Sequence, residues 1–367
     1  MENEISNEYI ENAINELATS VGIKEPVLSE NYFLPIRNGQ INKAIKLIAR
    51  QLGLPIDINI TKVPNDYRAQ SSDNQFHSKH LVKVHQHSSS SEGIVAQVTI
   101  PGNLPLYGSS ALSGYPINVK ISDNCTEHPV VFAMIMTHEL SHVLLYALIH
   151  PRKENEFYTD LTAIMLGFQN IFQSGRKITV TDVEHGITST TTKTRTTTYG
   201  YLNDNQFDFA LNKINSILEK NRERKKLLSE ELKNIVKLQF QYEKTLYQFK
   251  KHLEFLANNI SKKISNKDGK RITEFFQPGY IEELDLPLKD YKEKQETIQK
   301  FLKELYYYTE QRMNQLSIYV KYLKTYSDKL NTQLAVLNKD AKMLKKYVSY
   351  KYRIKVFFFF LFKRNKK

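Results

Sequence analysis

Apolar side chains make the first divisions of the chain. Ile5, Tyr9, Ile10, Ile14 and Leu17 recur at helical spacing, which predicts an amphipathic helix over 5–18; a second short helix is expected at 40–52. From 55 to 122 the period falls to two. Residues 55–60, 93–100 and 116–121 each alternate apolar with polar and predict strands, with Asn118 and Lys120 on the polar face of the third. Residues 128–149 are apolar nearly throughout and too long for a strand. They predict a buried helix that Pro151 ends, and another helix is expected over about 155–172. Residues 177–200 are rich in threonine, whose β-branched side chain favours extended backbone, so an edge strand or flap is expected there.

Beyond residue 210 the spacing changes again. Leu211, Ile214, Leu218, Leu228, Leu232 and Ile235 recur at steps of three and four, and the pattern continues through Tyr242, Leu246, Phe249, Leu253, Leu256 and Ile260. This is a heptad seam. Residues 266–287 interrupt it with Asp268-Gly269, Pro278-Gly279 and Pro287. A second heptad run over 298–348 includes Ile298, Leu302, Leu305, Leu316, Leu323 and Leu344, and the step from Leu330 to Leu334 inserts a stutter. The economical arrangement is a long antiparallel helical hairpin; parallel dimerisation through the seam is the alternative.

Composition sharpens this division. The chain has 367 residues, room for about two domains, and at 41% hydrophobic it can bury a core, which excludes global disorder. Residues 1–210 carry a net charge of −5 and residues 211–367 a net +18. Such asymmetry marks a domain boundary. The single cysteine forbids an intrachain disulfide, and the acidic N-terminus has no apolar stretch of the secretory kind, so a reducing, cytoplasmic location is expected. No apolar run is expected to approach the ~18 residues that a membrane-spanning helix needs.

The chemistry gathers at residues 137–142, Thr-His-Glu-Leu-Ser-His. His138 and His142 are four apart, so on a helix both imidazoles project from one face, one turn apart. That spacing lets two ring nitrogens meet one tetrahedral zinc ion. Glu139 sits beside the first ligand and off its axis, placed to take a proton from a water on the ion. The next helix opens Asn155-Glu156-Phe157-Tyr158-Thr159-Asp160, which puts a second pair of acids, Glu156 and Asp160, four apart on one face.

These two motifs resemble the gluzincin metallopeptidases, whose pattern is HExxH followed by a helix bearing NExx[ST]D. The resemblance implies an α+β chain. A zincin-like domain at 1–204, with a small antiparallel or mixed sheet, a motif helix and a ligand helix, precedes the coiled-coil hairpin at 205–356 (linker about 266–287) and a tail at 357–367. It implies Glu156 as third zinc ligand and Asp160 as the acceptor fixing the His138 ring. The short connection leaves both acids open as the ligand: Asp160 if both helices run up to a tight turn at 151–153, Glu156 if the first stops near Tyr146. Either 93–100 or 116–121 could serve as the edge strand that binds a peptide substrate. For the oxyanion, Tyr201 is favoured over Tyr199, Tyr158 and His185.

The expected function is therefore a zinc-dependent metalloendopeptidase acting on a peptide or protein substrate. The alternative is a non-catalytic coiled-coil scaffold or sensor with a structural or regulatory zinc site. His77, His80, His85 and His87 read as a polar loop rather than a second metal site, since no acid or cysteine completes the set, and Cys125 as a small buried residue. The helical arm suits a protein partner or homo-oligomerisation. No specific nucleic acid is expected, because the basic face offers no stacking platform. In the tail, the apolar run at 356–362 is flanked by lysines and too short to span a bilayer. It suits docking on the first domain, a partner, or peripheral contact with an anionic membrane.

Overall fold

The computed structural model describes residues 5–64, 75–77, 82–85, 96–185, 190–259 and 266–348. The tail at 357–367, His80 and His87, and the side chains of His77, His85 and His185 lie outside what is described. The chain divides into two compact units: Met1–Lys220 with Tyr306–Glu310, and Asn221–Leu305 with Gln311–Lys367.

The first unit opens with α1 (Asn7–Ser20), where the Ser6 side chain accepts the Tyr9 N–H at the N-cap, and Ile10, Ala13, Ile14 and Leu17 are buried. Then come β1 (Ile23–Lys24), α2 (Glu30–Arg37) and α3 (Ile41–Leu52). The strands β2 (Asp57–Val63), β3 (Gln75–His77), β4 (Val82–His85), β5 (Ala96–Pro101) and β6 (Pro116–Ser122) follow. One mixed sheet has the order β2-β6-β5-β3, with β2 parallel to β6 and the other pairs antiparallel. The two-residue period predicted for 116–121 is present, with Ile117, Val119 and Ile121 buried. Neither 116–121 nor 93–100 is the peptide-binding edge expected: β6 lies between β2 and β5, and β5 between β6 and β3.

Behind β5 lies α4 (Pro129–Ala147), which also packs on α2 and α3. Sixteen of its side chains are buried, so this helix is apolar nearly all round because core surrounds it. Its 19 residues overturn the expectation that no apolar run approaches the length of a membrane span. Among the described residues α4 is the one helix long and apolar enough to cross a membrane, yet 89% of its apolar window is buried within the protein. The expected helix over 155–172 is divided into α5 (Glu156–Ala163) and α6 (Gln169–Gly175). Gly167 makes the break, at φ +102°; its carbonyl accepts the Val27 N–H at 2.9 Å, and a Cβ there would sit 2.5 Å from the Glu25 carbonyl oxygen.

The threonine-rich segment forms a hairpin, β7 (Lys177–His185) and β8 (Thr190–Tyr199), in a three-stranded antiparallel sheet of order β4-β8-β7. A last short strand, β9 (Tyr307–Tyr308), arrives from far along the chain and pairs antiparallel with β1. Tyr308 donates its hydroxyl to Glu25 at 2.7 Å, and the Lys24 ammonium lies over the Tyr307 ring.

The second unit is helical: α7 (Asp204–Asn259), which begins in the first unit, then α8 (Asn266–Phe275), α9 (Tyr280–Glu304) and α10 (Glu310–Val348). Three long helices stand where the heptads predict two, because the second run is cut at Leu305, whose backbone leaves the helical region. Lys250 bonds Asp285, Tyr242 bonds the Leu284 carbonyl and Lys225 the Leu305 carbonyl, so α9 runs antiparallel to α7. The ring of Tyr291 stacks on Tyr326 and that of Phe301 packs on Tyr319, so α10 runs antiparallel to α9. Arg271 of α8 grips the buried Asp340 of α10 at 2.7 Å.

Candidate metal centre

The site is built by two consecutive helices and the short turn between them. α4 stops at Ala147, and the chain reverses through Ile149, the one non-glycine residue with positive φ (+52°) among those described. Asn155 then caps α5: its side chain accepts the N–H groups of Phe157 and Tyr158, and its amide donates to the Tyr9 hydroxyl. Because α4 ends early, the first residue of α5, Glu156, lies opposite the two histidines.

The geometry converges on one point. Nε2 of His138 and Nε2 of His142 are each 3.0 Å from Glu156 Oε2. The three donor atoms lie within 4.8 Å of one another, and among the described residues this is the one such group that could hold a metal ion. The imidazoles are buried, whereas the Glu156 side chain keeps 24% of its exposure, so the cluster meets solvent on that side. Two imidazoles and one carboxylate suit a borderline divalent ion.

Neighbouring groups hold each ring in place. Asp160 Oδ1 lies 2.7 Å from His138 Nδ1, which puts the proton on that nitrogen and turns Nε2 toward Glu156. Nδ1 of His142 lies 3.3 Å from the Lys153 carbonyl and 3.2 Å from the Thr159 hydroxyl, which itself donates to the Asn155 carbonyl. Of the two acids left open by the sequence, Glu156 reaches both Nε2 atoms and Asp160 stands behind the His138 ring.

Glu139 is wholly buried, and its Oε2 accepts the Val98 N–H of β5 at 3.3 Å. Burial pushes its pKa up to about 8; the His138 charge pulls against this, Glu156 adds to it and the Val98 bond opposes it. For His138 burial acts downward, but the Asp160 carboxylate, then Glu156 and Glu139, carry it up to about 10. For Glu156 burial acts upward, and its bonds to the two imidazoles bring it down to about 2.

The oxyanion candidates separate clearly. Tyr201 is at the site: its ring stacks on His138 with centroids 5.5 Å apart, and its backbone N–H donates to Asp160 Oδ2 at 2.7 Å. Gly200, at φ +89°, makes the turn that allows this approach. Tyr158 donates its hydroxyl to Glu16 instead, and Tyr199 is buried with its N–H on the Arg176 carbonyl. Cys125 is buried in the 3-10 turn Asp123–Thr126, where burial raises its thiol pKa, and it does not belong to the metal group.

Sequence reasoning missed the Val98 N–H, the Lys153 carbonyl and Gly200. Only Gly200 had a signal, its place directly before Tyr201. No family model, curated protein or solved structure matches the chain.

Proposed function

We propose that the first unit is a zinc-dependent peptidase of the gluzincin kind, with His138, His142 and Glu156 as the metal ligands. The observation that carries this is the shared 3.0 Å approach of both Nε2 atoms to Glu156 Oε2, with the carboxylate of Glu139 buried one residue from the first ligand. Zinc, when bound, supplies a Lewis acid that makes water a nucleophile at neutral pH and polarises a carbonyl.

The chain's own residues supply the rest. Glu139, buried beside the first ligand, takes the proton from the attacking water and delivers it to the leaving nitrogen. Asp160 keeps the His138 proton on Nδ1 and steadies the ring. Tyr201, held over that ring, borders the reacting carbonyl and is our choice for the oxyanion donor. The helical unit serves as a coiled-coil arm that selects the partner or location.

Glu139→Gln tests the reading, because it removes the base while keeping shape and metal ligands. The parent should cleave a broad peptide library, and the variant should lose ~10²–10⁴-fold in turnover with zinc content and melting temperature retained. A zinc-replete parent that cleaves nothing, or a variant as active as the parent, rejects the peptidase.

A further inference from the structure

We propose that the seam between α7 and α10 is a docking groove for an acidic, amphipathic helix of another protein. Two cavities open along this seam within the helical unit. One, about 500 Å³, lies between residues 241–252 and 334–345; the other, about 630 Å³, lies between 224–227 and 314–328. Both sit on a single stripe of each helix. On α10, Ser317, Lys321 and Lys324 are continued in steps of three and four to Asn338, Lys342 and Lys345. On α7, Arg224 and Leu227 are continued in the same way to Gln241, Thr245, Gln248 and His252. Stripes of this period keep facing one way along a supercoiled helix, so the two cavities lie in line along roughly 40 Å of α7.

The lining names the occupant. Leu334 and Ala341 line the first cavity with Lys244, Lys342 and Lys345, and no carboxylate is among its lining residues. The three lysines are exposed and none has a carboxylate partner among the described residues. Nδ1 of His252, also in the lining, is buried with no hydrogen-bond partner among the described residues. In the second cavity Arg224, Lys321 and Lys324 outnumber the single Asp328.

A heptad-spaced trough between two helices matches a third helix, whose side chains repeat with the same period; an extended strand does not. Its apolar face meets the exposed Leu227 and the half-buried Val320 and Ala341, and glutamates on its flanks meet the lysines. A second copy of the same stripe is disfavoured, since like charges would oppose across the contact. Neither cavity is lined by Phe, Tyr or Trp, so stacking of single-stranded nucleic acid has no platform.

The test uses the full chain and a labelled synthetic peptide of four heptads, with leucine on the seam and glutamate beside it. Fluorescence anisotropy should show binding that weakens with added salt and falls at least ~10-fold in Lys342→Glu/Lys345→Glu. Circular dichroism should show the variant folded like the parent, since both positions are exposed, and a lysine-for-glutamate version of the peptide should regain affinity for it. Failure of the parent to bind the glutamate peptide, or equal binding of the two peptides, overturns the proposal. So does loss in the same variant of binding to phosphatidylserine vesicles, which would make the groove a membrane surface, or of a parent dimer in sedimentation. None of these readouts depends on peptidase activity.

Discussion

The backbone N–H of Tyr201 donates to Asp160 Oδ2 across 2.7 Å, while the other oxygen of the same carboxylate lies 2.7 Å from His138 Nδ1. One side chain thus joins the turn after β8 to a candidate metal ligand on α4. An asparagine in its place keeps an acceptor but removes the charge that fixes the imidazole proton. Asp160→Asn should weaken zinc binding ~10–100-fold, measured by competition with a chromogenic chelator. Unchanged affinity would detach Asp160 from the metal.

Gly200 makes that bond reachable. Its φ of +89° suits glycine alone, and an added Cβ would lie 3.3 Å from Asp160 Oδ2. Gly200→Ala should cost ~1–3 kcal/mol in thermal or urea unfolding and lower zinc affinity as well. Stability lost with affinity intact would show that the turn serves the fold only.

Metal binding should release protons. In the metal-free protein His138 is protonated at neutral pH, because its pKa is raised to about 10. Ligation through Nε2 needs the neutral ring with its proton on Nδ1. Zinc uptake at pH 7 should therefore expel at least one proton, seen by calorimetry in buffers of different ionisation enthalpy. The sign for stability follows from the same shift. A raised folded pKa stabilises the metal-free fold fully below its unfolded value near 6.5, and this stabilisation is lost as pH rises through about 10. Heat of binding independent of buffer would contradict the protonation state.

Gly167 tests the break between α5 and α6. A Cβ there would lie 2.5 Å from the Glu25 carbonyl oxygen, at a φ of +102°. Gly167→Ala should lower stability by ~2–3 kcal/mol, read from the denaturant midpoint at constant slope. A neutral effect would mean that the helix tolerates continuation.

What the sequence made legible was local. The four-residue spacings of His138 with His142 and of Glu156 with Asp160 follow from one helical turn, and the structure presents both on facing helices. Which acid faces the imidazoles depended on where α4 ends, and that is decided by tertiary packing: Asn155 bonds Tyr9, 146 residues away. The Val98–Glu139 and Tyr201–Asp160 bonds each join segments 41 residues apart, beyond any periodic signal. The break in the second heptad run did leave a trace, the gap from Leu305 to Leu316. It passes unread from sequence because Tyr307 and Tyr308 take their extended form from pairing with β1.

That pairing has a consequence for biosynthesis. Tyr307 and Tyr308 complete the unit that carries the candidate metal centre, covering Gly22 and Ile23 near the start of the chain. A nascent polypeptide leaving the ribosome cannot close that edge until residue 310 has emerged. The histidine-bearing unit is thus finished only after most of the helical arm has been made.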